Sequence, residues 1–230
     1  MTSHPNPLRR GLIVSCQALA DEPLHGPQFM AAMARAAEQG GAVGIRANSP
    51  QDIAAIRQAT GLPLIGLYKV SFPDSPVYIT PDSASAAAIA QAGCDILAID
   101  ATPRPRPGGL SLAALIAFIH DTLGKPVMAD ISCLEEAMQA ESLGAEVIAT
   151  TLAGYTGHGR PMSDGPDLEF LEQVVGAVRR PVVAEGRFYL PEQVRRAFDL
   201  GAYAVVVGGA ITRPQEITRR FARAAPEAQS

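Results

Sequence analysis

The sequence predicts a single-domain (β/α)8 TIM barrel of the α/β class, and three observations carry that expectation. Short apolar runs alternate with longer amphipathic segments eight times along 230 residues. The composition suits buried parallel strands beneath alanine-rich helices: 47% of residues are hydrophobic, 5% are aromatic and none is Trp. The first apolar run leads into Ser15-Cys16-Gln17-Ala18, where an open doubly wound sheet usually places a glycine-rich loop.

The predicted strands are Leu12 to Gln17, Ala42 to Arg46, Leu64 to Lys69, Asp95 to Asp100, Val127 to Asp130, Glu146 to Thr150, Val182 to Glu185 and Ala202 to Val207. Each is short, rich in Val, Ile, Leu or Ala, and bounded by Gly, Pro or a charge, as buried parallel strands are. Between them the helical pattern covers Gly26 to Gln39, Ser83 to Ala92, Ser111 to Leu123 and Pro191 to Leu200. Gly40, Gly61, Gly93, Gly144 and Gly201 each precede a strand, where a left-handed residue closes a helix. The least regular stretches are Ser71 to Pro81, Thr102 to Gly109 and Leu152 to Pro166. All three follow a strand, so in a barrel they lie on the catalytic face. Residues 1–10 read as an N-terminal extension, 11–223 as the barrel and 224–230 as a frayed tail.

Composition also excludes functions. A net charge of −4 with no basic stripe argues against nucleic acid. No run approaches the ~18 apolar residues of a membrane span, and Met1 to Arg10 lacks the apolar stretch of a signal peptide. Cys16, Cys94 and Cys133 form no CxxC pair and read as buried thiols in a reducing compartment, which makes the expected location the cytoplasm. His4, His25, His120 and His158 show no metal-ligand spacing. No GxSxG frames a serine nucleophile.

The informative pattern is what ends each strand. Gln17, Arg46, Lys69, Asp100, Asp130, Thr150 or Thr151, and Glu185 close seven successive apolar runs. A closed barrel gathers those ends around one mouth, although each also marks a place where a strand meets water. A lysine half-buried at that mouth beside the cation Arg46 has its ammonium form disfavoured. Lys69 then offers a neutral amine for proton abstraction or for a Schiff base, unless it is a solvated lysine at a loop start. Glu185 is a second acid or base, or holds geometry by pairing with Arg187 or Arg46. Asp100 and Asp130 read as paired carboxylates, a metal pair, or partners for sugar hydroxyls. Glu185-Gly186-Arg187 and Gly208-Gly209-Ala210-Ile211-Thr212-Arg213 follow the last two strands, where barrels frequently bind phosphate. The glycines are otherwise turn formers. Thr151 and Tyr155 are candidate substrate contacts, Tyr155 with Thr156 forming a lid or a plain turn.

The residues resemble the N-acetylmannosamine-6-phosphate 2-epimerases from about Gly11 to Phe221. The matching segments are GLIVSCQAL at Gly11, AVGIRAN at Ala42, PDSPVYITP at Pro73, DATPRPRPGG at Asp100, MADISCLEEA at Met128, ATTLAGYTG at Ala149, VVAEGR at Val182 and AVVVGGAITRPQ at Ala204. The resemblance implies a barrel that interconverts N-acetylmannosamine 6-phosphate and N-acetylglucosamine 6-phosphate in amino-sugar or sialic-acid catabolism, without a nucleotide or metal cofactor. By position it makes Lys69 the proton-transfer residue with Glu185 assisting, and Gln17, Arg46 and Asp130 contacts to the sugar. It places phosphate at Gly186, Arg187, Gly208, Gly209 and Arg213. A homodimer is the oligomer it suggests. Two departures stand out: Val70-Ser71-Phe72 where members often carry polar or basic residues, and Gly209 where many have Ser.

The chemistry expected is removal of the C2 proton of the open-chain sugar by neutral Lys69, an enolate stabilised by donors at the mouth, and return of a proton on the opposite face. A Schiff-base aldolase using Lys69, and a sugar-phosphate-binding protein without turnover, are the competing readings.

Overall fold

The computed structural model describes residues 4–226; residues 1–3 of the expected extension and 227–230 of the expected tail lie outside the described residues. The strands are β1 (Gly11–Cys16), β2 (Gly44–Asn48), β3 (Leu64–Leu67), β4 (Ile96–Asp100), β5 (Val127–Asp130), β6 (Val147–Ala149), β7 (Val182–Glu185) and β8 (Ala204–Val207). They pair in parallel in chain order, and β8 closes on β1. Helices α1 (Pro27–Gln39), α2 (Pro50–Ala59), α3 (Ser83–Gln91), α4 (Leu112–Asp121), α5 (Leu134–Ser142), α6 (Leu168–Ala177) and α7 (Pro191–Asp199) follow the first seven strands. After β8 come a one-turn helix, α8 (Gly209–Thr212), and α9 (Pro214–Ala222). The (β/α)8 expectation is met.

Side chains alternate across a strand, so each strand serves two cores. Ile13, Ile65, Ile96, Ala98, Met128, Val147, Val183, Ala204 and Val206 fill the barrel interior. Their neighbours of opposite parity, including Val14, Ile45, Leu64, Leu97, Ile148 and Val205, pack on the helices. Continuing the inner parity toward the C-terminal ends brings up Ser15 and Gln17, Arg46, Lys69, Asp100, Asp130, Thr151, Glu185 and Gly208. One two-residue period therefore fills the floor with hydrocarbon and supplies the mouth with polar groups. The lower end is plugged from the segment before β1: Leu8 is buried in the inner cluster, and Tyr203 Oη donates to its carbonyl at 2.9 Å.

Strand bounds differ from expectation where polarity and pairing disagree. Arg46 does not end β2; it turns into the barrel while the ladder continues to Asn48↔Leu67. β3 stops at Leu67, and Lys69 instead bridges antiparallel to Ile79. Gly93, Gly144 and Gly201 take the expected positive φ, whereas Gly40 keeps φ −77 and passes that role to Gly41. α2 ends on extended Thr60, and Gly61 is not left-handed.

Helix starts are fixed locally. Ser49, Asp82, Ser111 and Asp167 each accept a first-turn amide at 2.8–3.2 Å, a cap stabilising each helix by about 1 kcal/mol. α9 differs from the other long helices: no residue on it is buried, and Phe221 is 75% exposed. No helix among the described residues is long and apolar enough to cross a membrane.

Candidate active site

Arg46 organises the mouth. Its guanidinium, 1% exposed, grips both oxygens of Asp130 at 3.1 and 2.6 Å and reaches Glu185 at 3.2 Å. Burial opposes the charge, but Asp130 and Glu185 more than offset it and raise the Arg46 pKa, so the residue is a fixed cation. Of the two partners that the sequence left open for Glu185, the structure selects Arg46.

Thr151 completes the cluster. β6 ends at Ala149, and a 3-10 turn carries Thr150 and Thr151 onward. Thr150 Oγ1 accepts from the Glu185 amide and donates to its carbonyl, both at 3.1 Å, tying β6 to β7 beyond their ladder. Thr151 Oγ1 stands 2.7 Å from Asp130 Oδ1 and 3.0 Å from Glu185 Oε2. A hydroxyl has one hydrogen. When it donates to Asp130, the second contact is a hydrogen bond only if Glu185 is itself protonated. Burial raises the Glu185 pKa, opposed by Arg46 and assisted by Asp130.

Lys69 reaches the same space from β3. Its amide donates to Asn48 Oδ1 at 2.8 Å, and the flanking amides of Val70 and Thr80 bond to Tyr78 and Tyr68 carbonyls at 3.0 and 2.8 Å. The lysine thus sits on a short two-stranded clasp rather than a free loop. Burial, then Arg46, lowers its pKa, with Glu185 pulling the other way and Arg213 adding to the depression. Among the described residues its ammonium makes no ion pair.

The other end of the mouth is built from the loops after β7 and β8. Gly186 has φ 120 and Arg187 φ 57, and the left-handed form of a non-glycine residue costs about 1–2 kcal/mol. The Arg187 side chain holds that turn in place. It donates to the carbonyls of Ala153 and Gly165 at 2.8 and 2.9 Å and lies over the Tyr155 ring at 5.3 Å. Its guanidinium therefore clamps the β6–α6 loop. Gly208 caps α8 without a side chain, leaving first-turn amides unpaired for an anion. Arg213 lies beside them, bound to Glu22 at 3.0 Å and Glu216 at 3.2 Å.

A cavity of about 390 Å³ joins the two ends, within the range of small-molecule sites. Its wall includes Lys69, Glu185, Gln17, Arg46, Thr151, Tyr155, Gly186, Arg187, Gly208, Gly209 and Arg213. Asp130 stands one layer behind, with Arg46 and Thr151 between it and the space. Gln17 gives its amide nitrogen to Ser15 at 2.9 Å and leaves its buried Oε1 unpartnered. Asp100 is absorbed elsewhere: Thr102 donates to it at 2.9 and 2.6 Å, and Arg104 and Arg106 close over it. Asp100 and Asp130 are each held by arginines, and among the described residues no group of three or more His, Cys, Asp or Glu could hold a metal ion. His158, without metal-ligand spacing in the sequence, bonds Glu136 at 2.8 Å.

Sequence reasoning missed Tyr78 and Glu216, both in the cavity wall. The alternation Val77-Tyr78-Ile79 inside an irregular loop marked a buried extended segment. Nothing local distinguishes Glu216 from any other helix-surface carboxylate.

The family model described as "Putative N-acetylmannosamine-6-phosphate epimerase" (NanE) matches residues 30–227. A relative from Caldanaerobacter subterraneus subsp. tengcongensis, named "Putative N-acetylmannosamine-6-phosphate 2-epimerase", is 52% identical over 215 residues, covering 93% of this chain and 90% of its own. Another of that name from Enterobacter sp. (strain 638) is 50% identical over 228 residues, covering 97% and 95%. The solved structure of N-acetylmannosamine-6-phosphate 2-epimerase from Clostridium perfringens superposes with a TM-score of 0.92 at 46% identity, covering 98% of this chain and 100% of that one. Thiamine phosphate pyrophosphorylase from Pyrococcus furiosus, 19% identical with a TM-score of 0.59, shares the fold alone. Matched by the family model from residue 30 onward, and half identical to relatives along nearly their full length, this chain belongs to the N-acetylmannosamine-6-phosphate epimerase family, NanE.

Proposed function

We propose that this chain interconverts N-acetylmannosamine 6-phosphate and N-acetylglucosamine 6-phosphate, in amino-sugar catabolism, by proton transfer at C2 of the open-chain sugar. The observation that carries the mechanism is the placement of Lys69 and Glu185 in one cavity wall, Lys69 just beyond strand three and Glu185 at the end of strand seven of an eight-strand ring. Strands four apart in such a ring face each other, so the two groups approach a substrate from opposite sides.

The steps follow from the local electrostatics. Lys69, depressed toward its neutral form by burial and by Arg46, takes the C2 proton. The C–H electrons form a C1–C2 double bond, and the aldehyde oxygen becomes an enolate oxygen. Arg46, fixed by Asp130, stabilises that charge without having to reorient. Glu185, holding a proton against Thr151, delivers it to the opposite face of C2; proton exchange with solvent resets both groups. The amides of Gly208 and Gly209, the Gly186-Arg187 turn and Arg213 take the phosphate, which fixes a small polar substrate in register. Gln17 Oε1 accepts from a sugar hydroxyl, and Tyr155 covers the site.

A homodimer and a cytoplasmic setting belong to the same proposal. The wholly unburied α9 with exposed Phe221 supports the first, and three unpaired cysteines support the second.

The test is proton NMR of N-acetylmannosamine 6-phosphate in D2O with the wild type and Lys69→Ala. The expected result is the gluco epimer carrying deuterium at C2, abolished in the variant. Binding by the wild type without conversion or exchange would overturn the assignment.

A further inference from the structure

We propose that Tyr78, with Tyr155 beside it, recognises the 2-acylamino group of the sugar and sets the preference for an N-acetyl over a free amino or a larger N-acyl substituent; this rests on the epimerase reading above. Ring geometry gives the direction. A phosphate held after β7 and β8 sends the sugar chain across the mouth toward β3 and β4, which lie opposite in an eight-strand ring. Lys69 stands on that far side, so C2 and its substituent arrive there together. Tyr78 is on the segment that clasps Lys69, next to Ile79, the lysine's bridge partner.

That segment is rigid. Val77, Ile79 and Thr80 are buried; Tyr78 O accepts from Val70 N at 3.0 Å, Ile79 O accepts from Asp100 N at 3.0 Å, and Thr80 Oγ1 donates to Ala98 O at 2.7 Å. The Tyr78 ring therefore forms a fixed wall of the cavity beside Leu67 and Ile79, with Tyr155 lining the same space from the β6–α6 loop. Burial, Asp130 and Asp100 raise the pKa of the Tyr78 phenol, so it remains a neutral donor. Among the described residues it makes no side-chain hydrogen bond.

An acetamido group matches this wall. Its methyl packs on an aromatic face, and its carbonyl accepts from the phenol. A free amino sugar offers neither, and its ammonium would be a second cation beside the fixed charge of Arg46, in the same wall. Repulsion in a half-buried site disfavours that form.

The experiment compares wild type, Tyr78→Phe and Tyr78→Ala on mannosamine 6-phosphate and its N-acetyl, N-propanoyl and N-butanoyl derivatives. Tyr78→Ala is expected to raise KM for the N-acetyl substrate by about tenfold with kcat within about threefold, the mark of lost substrate binding. It also shifts the butanoyl-to-acetyl ratio of kcat/KM upward by about tenfold. Tyr78→Phe, which keeps the ring and its packing, raises KM without relaxing acyl size, and decides the hydroxyl's part should the Ala variant fail to fold. Inhibition by inorganic phosphate stays unchanged in both. An equal fall of kcat/KM across the acyl series, or a loss confined to kcat, overturns the proposal. A wild type that converts none of the four sugars instead removes the epimerase reading on which it stands.

Discussion

Replacing Arg46 with Met probes how the buried charges balance. The guanidinium is 1% exposed and touches Asp130 at 3.1 and 2.6 Å and Glu185 at 3.2 Å. Met keeps much of the aliphatic stem and offers neither carboxylate a donor. Asp130, 0% exposed, is left with the Thr151 hydroxyl at 2.7 Å as its remaining side-chain donor. Removing one partner of a buried ion pair costs about 3–5 kcal/mol. With about 2.1 cal/mol/K of unfolding entropy per residue, each kcal/mol is worth about 2 °C for a chain of this length. The expected fall in Tm is therefore about 6–10 °C. Adding Asp130→Leu removes the stranded carboxylate, and the double variant recovers most of the loss. Thermal unfolding of every member of this cycle, followed by far-UV circular dichroism, reads the result. An Arg46→Met protein melting within about 2 °C of wild type, or a double variant less stable than either single, would refute the reasoning.

Four further outcomes are expected. Catalysis needs neutral Lys69 and protonated Glu185, so the rate climbs as pH rises through the depressed Lys69 pKa and falls again as Glu185 loses its proton. Glu185→Gln cannot ionise and abolishes the falling limb of the residual C2-exchange rate, and persistence of that limb counts against the assignment. Arg187→Ala releases the β6–α6 loop, seen as faster chymotryptic cleavage after Tyr155 and a higher KM; an unchanged digestion rate means the loop is held without the clamp. A Cβ on Gly209 would lie 2.5 Å from Glu216 Oε2, the end of a flexible side chain, so Gly209→Ser displaces that carboxylate and adds a hydroxyl to the phosphate end. KM falls by about two- to tenfold, the worth of one net hydrogen bond, and a rise contradicts this. A Cβ on Gly66 would meet Cys94 Cβ at 2.6 Å; Gly66→Ala costs about 1–3 kcal/mol by overpacking, and an unaltered melting curve would show that β3 and Cys94 can part freely.

The barrel was legible because its signals are local and repeated: a short apolar run and an amphipathic segment, eight times over, with a polar residue closing seven of the runs. The strand-end polar residues were legible for the same reason, since one parity places them all at the mouth. What failed needed three dimensions. Arg46 read as a strand terminus because charge usually marks water, yet the strand continues past it and the charge is neutralised by Asp130, 84 residues away in sequence. Asp130 read as a sugar contact, and the sequence did not show that Arg46 and Thr151 bond its carboxylate. The resemblance put Arg187 at the phosphate, and nothing in the sequence showed that its guanidinium is held by carbonyls of the preceding loop. Tyr78 and Glu216 belong to the site through tertiary folding of a clasp and a helix.

The alternation that fills the barrel floor and arms its rim also restricts how such a gene can change length. A single-codon insertion or deletion within a strand exchanges inside for outside for every residue beyond it. On β5 it would send Asp130 toward the helices and Ala129 toward the barrel axis; on β7 it would turn Glu185 outward. The core and the reactive ring fail together, with no intermediate in which one survives. Length variation among descendants is therefore confined to the connections, while the chemistry changes only by substitution in place.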